Sequence, residues 1–210
     1  MSADKKEVAA YFDRLSEDWD ESLVHDNAVI EKILNFADIR PGVRVLDVAC
    51  GTGVLFQDYL DREVASITGV DLSSGMIAQA QKKFQQPNVH LVRADIQACR
   101  FDAPFDRCMI YNALPHFEDP AMLLRRLAGF LVPGGRLTVA HSMSREQIDA
   151  HHQNHAQTHS IQLPEAEALA QVMVPWFDVD VMVSDNEKYV VSGVRNTASS
   201  APMVSDEDQK

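Results

Sequence analysis

No apolar run in this sequence approaches the roughly 20 residues that a helix needs to cross a bilayer, which argues against a membrane-spanning segment. The opening MSADKKEVAAYFDRL also lacks the apolar core and small-residue cleavage site of a secretory signal, so a cytoplasmic location is the default expectation. Positive charge is scarce. Nineteen Lys and Arg against 31 Asp and Glu leave a formal charge of −12. A nucleic-acid backbone is gripped by clustered cations, so this balance argues against a nucleic-acid partner. Cysteine is scarce as well. Cys50, Cys99 and Cys108 show no metal-ligand spacing and leave an odd thiol, so they read as buried, reduced side chains.

What is present suits one soluble domain. The chain has 210 residues, 46% hydrophobic and 24% charged, enough to bury a substantial core. Val8, Tyr11, Phe12, Leu15 and Trp19 form an apolar stripe at helical spacing, and Val29 to Ala37 forms another that stops before Pro41-Gly42. From Val43 the texture changes to short apolar runs alternating with helical patterns. VRVLDVA, SITGVD, VHLVRAD, FDRCMIYNA and RLTVAHS read as strands. Val54 to Arg62, Ser74 to Phe84 and Ala121 to Leu131 read as helices, and Pro133-Gly134-Gly135 as a turn. The polar stretch from Arg145 to His159 and the segment Glu165 to Val174 also read as helical. Phe177 to Ser184 and Lys188 to Val194 complete the strands. Such alternation with short turns predicts an α/β fold with a parallel sheet covered on both faces. The small, polar and acidic residues 196–210 read as a disordered tail.

In an open parallel sheet, ligands bind beyond the carboxyl ends of the strands. Asp47 closes the first strand, and Gly51 and Gly53 stand in the turn after it, where glycine lets backbone approach a ligand. Asp71 closes the second strand, well placed to accept hydrogen bonds from two ribose hydroxyls. Asp95-Ile96 closes the third. A dinucleotide fingerprint would need a third glycine where Phe56 stands, and no Lys-Ser/Thr follows Gly53 as a phosphate loop requires. The pattern therefore points to an adenosyl ligand without a pyrophosphate.

VLDVACGTG, GVDLSSGMIAQA, ADI and LVPGGRLTVAHS, in that order, resemble the class I S-adenosylmethionine-dependent methyltransferases, in particular the small-molecule branch akin to the ubiquinone and menaquinone enzymes. The resemblance covers about residues 8 to 195. It implies a Rossmann-like, seven-stranded, mostly parallel sheet with helices on both faces and an antiparallel last strand. It further implies that Asp47, Ala49, Cys50, Gly51 and Gly53 surround the methionine part of S-adenosyl-L-methionine, while Asp71, beside Leu72, holds the ribose. Met76 would pack on the adenine, Asp95 would bind its amino group, and the Ile96 N–H would meet a ring nitrogen. Asn112 would face the sulfonium. The family usually carries glycine where Ala49 stands. In similar enzymes a leading segment folds over the cofactor, which assigns residues 1–40 a lid role with Tyr11 and Trp19 in contact. Residues 41–195 would form the methyltransferase domain.

The acceptor is not encoded in these motifs, and a small molecule is the expectation. Candidate bases or orienters are His116, His141 and His151. Five of eight histidines fall between positions 141 and 159, and His151, His155 and His159 share one helical face. That stretch reads as a polar helix capping the pocket, as a source of a base, or as a metal site with His116 and His141. No fixed ligand pattern appears, so no metal is assigned. A non-catalytic protein that binds the same cofactor as a partner or regulator is the alternative to an enzyme.

Overall fold

The computed structural model of the chain describes residues 5–148 and 161–196. Its N-terminal part comprises α1 (Lys5–Leu15), the single turn α2 (Trp19–Ser22) and α3 (Asn27–Phe36). Then follow β1 (Arg44–Val48), α4 (Phe56–Asp61), β2 (Ser66–Asp71), α5 (Ser74–Lys83), β3 (Val89–Arg93) and β4 (Phe105–Tyr111). A 3₁₀ turn over Leu114–His116 leads to α6 (Pro120–Ala128), β5 (Leu131–His141), α7 (Ala166–Met173), β6 (Phe177–Ser184) and β7 (Tyr189–Arg195).

The seven strands form one sheet in the order β3-β2-β1-β4-β5-β7-β6. The first five pair in parallel, and β7 runs antiparallel to both neighbours. The sequence expectation of a mostly parallel sheet with an antiparallel last strand is met. Two apolar layers flank it. Leu46, Ile110, Leu124, Leu127 and Leu169 pack on the α6 and α7 side. Ile30, Ile33, Val45, Phe56, Ile67 and Met109 pack on the side of α3, α4 and α5. Side chains of a strand alternate between faces, so β1 sends Leu46 and Val48 one way and Val45 and Asp47 the other. A carboxyl thus enters an apolar row.

Local signals explain the helix starts. The Asp26 carboxylate accepts from the Ala28 and Val29 N–H groups at 3.0 and 3.1 Å, and α3 then buries Val29, Ile30, Ile33 and Leu34 on one stripe. Two boundaries differ from the sequence reading. The apolar stripe of the first turns breaks at residues 16–18, dividing it into α1 and α2. Pro133-Gly134-Gly135 lies within β5 rather than before it. Phe105 pairs with Leu131 and Arg107 with Arg136, and the surplus residues of β5 form a bulge in which Gly134 takes φ +77°. The three cysteines are buried thiols.

Candidate active site

Strand order reverses between β1 and β4, and such a switch point opens a crevice at the carboxyl ends of the strands. A cavity of about 210 Å³ lies there, walled by the ends of β1, β2 and β4, the segment after β3, and the N-terminal helices. Asp47 is 3% exposed and Tyr59, on α4, is fully buried; the Tyr59 hydroxyl donates to Asp47 Oδ2 at 3.0 Å. Burial, with the nearby Asp71 carboxylate adding to it, pushes the Asp47 acid up to about 7 against the pull of that hydroxyl. Asp47 Oδ1 takes no hydrogen bond among the described residues.

The loop after β1 turns back sharply. Ala49, Gly51 and Gly53 have φ of 55°, 55° and 79°. The Cys50 N–H donates to the Val70 carbonyl and the Gly53 N–H to the Cys50 carbonyl, which closes the turn against β2. A Cβ on Gly51 would meet no protein atom nearer than Met76 Sδ at 4.0 Å, so this glycine leaves open space beside the cavity wall. Gly53 serves packing instead. A Cβ there would meet Phe84 Cε2 at 2.8 Å and Phe56 Cδ2 at 3.0 Å, and Gly53 does not line the cavity.

Asp71 bridges two backbone segments. Its Oδ2 accepts from the Gly51 N–H at 2.9 Å, and its Oδ1 accepts from the Ser73 N–H at 2.8 Å in a local Asx turn. Burial raises the Asp71 acid, and the two N–H donors oppose that. The α5 cap is Ser73, whose hydroxyl accepts from the Met76 N–H at 3.1 Å, so Asp71 keeps the remaining lone pair on each oxygen for a ligand. Asp95 Oδ1 accepts from the Gln97 N–H at 3.0 Å. The Ile96 N–H meets no acceptor among the described residues.

The N-terminal segment covers this wall and is fastened at three points. Lys5 Nζ donates to Asp95 Oδ2 at 2.6 Å and to Gln97 at 2.7 Å. Asp13 accepts from the Gly75 N–H at 2.8 Å and the Ser73 hydroxyl at 2.6 Å, at the start of α5. Burial alone would raise the Asp13 acid, but these donors outweigh it and hold it low. Asp20 accepts from Thr52 Oγ1 at 2.5 Å and Lys83 Nζ at 2.6 Å. The Phe12 ring meets Trp19 at 5.6 Å and His116 at 5.0 Å, both edge-on, so aromatic contacts run from the helices across to the β4 loop.

Of the residues expected from sequence, the cavity gathers Trp19, Asp47, Ala49, Cys50, Gly51, Asp71, Leu72, Met76, Asp95, Ile96, Asn112 and His116. Asn112 sits at φ 53°, with its Oδ1 accepting from the Ser142 N–H at 3.1 Å. Tyr11, Gly53 and His141 do not line it. The Tyr11 ring lies edge-on to Phe12 at 5.2 Å and under Arg14, because helical spacing turns it away from the residue beside it. His141 is 2% exposed at the end of β5, packed edge-on to Tyr189. His151, with His152, His155 and His159, lies outside the described residues. Among the described residues no cluster of three or more His, Cys, Asp or Glu could hold a metal ion. Sequence reasoning missed Lys5, Asp13, Asp20 and Tyr59; the acids beside the aromatic residues in YFD and WD were the available signal.

The fold and crevice are of the nucleoside-binding, doubly wound α/β class. Comparisons narrow this. A family model described as a methyltransferase domain matches residues 45–135. An uncharacterised methyltransferase of Mycobacterium tuberculosis is 38% identical over 45% of this chain and 48% of its own length. A ubiquinone biosynthesis O-methyltransferase of Coxiella burnetii is 34% identical over 65% of this chain and 62% of its own length. The matches thus span between about half and under two thirds of these relatives. In fold, the magnesium protoporphyrin IX methyltransferase of Synechocystis, solved with S-adenosylhomocysteine, superposes with a TM-score of 0.67 at 17% identity, covering 91% of this chain and 99% of that one. The chain belongs to the class I S-adenosylmethionine-dependent methyltransferases.

Proposed function

We propose that the protein transfers the methyl group of S-adenosylmethionine to a small molecule by in-line displacement. One observation carries this reading, the sign of the cavity wall. Asp47, Asp71, Asp95, Glu118 and Asp119 line it against Lys5. S-adenosylmethionine carries a net positive charge, which such a wall attracts, whereas a pyrophosphate would be repelled. Asp71 is suited to hold the ribose hydroxyls, Asp95 and the Ile96 N–H the adenine edge, and Met76 its face. Asp47 Oδ1 and the backbone around Ala49, Cys50 and Gly51 suit the amino-acid tail, with Asn112 toward the sulfonium.

The bound cofactor supplies an already activated methyl group, so the protein's task is alignment and exclusion of water. Alignment alone supplies up to roughly 7–11 kcal/mol of barrier lowering. Residues 1–40 act as the lid, with Phe12 and Trp19 presenting apolar surface to the cavity. His116 is the base or orienter of the acceptor, since it lines the cavity while His141 does not. The acidic wall disfavours phosphorylated acceptors, and the apolar roof of Val8, Phe12, Trp19 and Leu23 suits an uncharged ring. The relative named for O-methyl transfer makes a hydroxyl the first acceptor group to try.

The test is mass spectrometry of S-adenosylhomocysteine formation over a panel of phenols, thiols and amines, with and without chelator. Turnover with one class, lost in Asp71→Ala through weakened cofactor binding, is the expected outcome. Tight NADH binding with none of S-adenosylmethionine would overturn the reading, and unchanged cofactor affinity in Asp71→Ala would overturn the ribose assignment.

A further inference from the structure

Asp47 and Tyr59 form an isolated polar pair inside an apolar layer. The period of β1 places Asp47 in the same row as Val45, facing α3 to α5, where Ile33, Phe56, Ile67 and Ile77 fill the space. A buried carboxyl without a partner is costly, and a single donor reaches it, the Tyr59 hydroxyl at 3.0 Å. Tyr59 comes from α4, not from the glycine loop, and its own ring is fully buried among Phe56 and its neighbours. Only one carboxylate oxygen is engaged, and Asp47 forms part of the cavity wall.

We infer that Tyr59 is a positioning residue of this site, whose hydroxyl fixes the Asp47 carboxylate at the cavity wall as an acceptor for the cationic end of the cofactor. The inference rests on the cofactor arrangement proposed above. The groups that act on Asp47 support it. Asp71 faces it from β2, Cys50 from the loop and Cys108 from β4, and none of them neutralises a carboxylate. Burial and Asp71 favour the neutral acid, and Tyr59 alone among the described residues opposes them, leaving Asp47 poised at about 7. A hydrogen bond to the charged form lowers a carboxyl pKa. Without the Tyr59 hydroxyl, the carboxylate therefore forms only at higher pH, and capture of a cation moves with it.

Tyr59→Phe keeps the ring and removes the donor. Two measurements apply to the full chain: the carboxyl carbon-13 titration of Asp47 in the ligand-free protein, and the S-adenosylhomocysteine Kd from pH 5.5 to 8.5 by calorimetry. In wild type, affinity rises as pH passes the Asp47 midpoint. In Tyr59→Phe both midpoints move up by about one pH unit, so that affinity near pH 6.5 falls up to about tenfold. Asp47→Asn flattens the pH dependence, and adding Tyr59→Phe to it changes the Kd little, which separates positioning from loss of packing. Titration midpoints that coincide in wild type and Tyr59→Phe overturn the inference, as does an equal Kd loss in the Asp47→Asn background. A shifted carbon-13 midpoint without any cofactor binding overturns the cofactor arrangement instead, and with it the role of the pair in capture.

Discussion

Within the loop of residues 49–53, one added or removed methyl has three different expected effects. Ala49 holds a left-handed φ of 55°, where an L side chain costs roughly 1 kcal/mol. Ala49→Gly removes that strain but adds freedom to the unfolded chain, so stability is expected to stay level or rise by up to about 1 kcal/mol, with the cofactor Kd unchanged. Gly51 shares that φ, and its missing Cβ would occupy open space by the cavity wall. Gly51→Ala is expected to lose about 1–2 kcal/mol of stability and to weaken cofactor binding at least about tenfold. Gly53→Ala meets the rings of Phe84 and Phe56, so its loss falls mainly on stability. Urea denaturation and calorimetry on the three variants separate strain, space and packing; equal binding losses at 51 and 53 would contradict the sorting.

At the scale of elements, α1 and α2 are docked by polar latches as much as by apolar contact. Asp13 takes the place of a second cap for α5, and Gly75 allows the approach, since a Cβ there would lie 2.4 Å from Ser16 Oγ and 3.2 Å from the Asp13 carbonyl. Asp13→Ala is expected to cost about 1 kcal/mol, as lost helix caps do. Hydrogen exchange should then speed up in residues 5–22 and leave β1, β4 and β5 unchanged; uniform acceleration would mean that the latch belongs to the global fold. Latches of this kind are hard to read in a sequence. The strands VRVLDVA and FDRCMIYNA were legible because both faces of a parallel sheet are covered, which leaves continuous apolar runs. Asp47, Asp71 and Asp95 were legible as candidates because they stand at strand ends. Asp13, Asp20 and Tyr59 carry their meaning through partners between 12 and 63 positions away in the chain, and no local pattern encodes such a distance. The glycine turn expected before β5 failed for a related reason, since Pro-Gly-Gly fits a bulge as well as a turn.

The whole molecule carries an excess of acid, formally −12, and the cavity concentrates that sign. Such a site is a standing cost until a cation arrives. Asp47 shows how the cost depends on pH. Its acid is raised to about 7 in the fold, against a model value of 3.8. Between those two values the folded chain holds a proton that the unfolded chain has released, so folding stability from this group declines as pH rises from about 4 to 7 and stays reduced above. Asp47→Asn removes the ionisation while keeping an oxygen for the Tyr59 hydroxyl. The ligand-free variant is therefore expected to match wild type near pH 4.5 and to exceed it near pH 8, with a higher Tm and a flatter profile. Saturating S-adenosylhomocysteine should reverse the order at pH 8, because a ligand at about 100 times its Kd adds roughly 2.7 kcal/mol to the form that binds it, and the variant has lost the carboxylate. Thermal melts of both proteins at the two pH values, with and without ligand, check all four combinations. A variant that is less stable than wild type at pH 8 without ligand would show that the Asp47 carboxylate is held by the fold itself rather than kept ready for a cation.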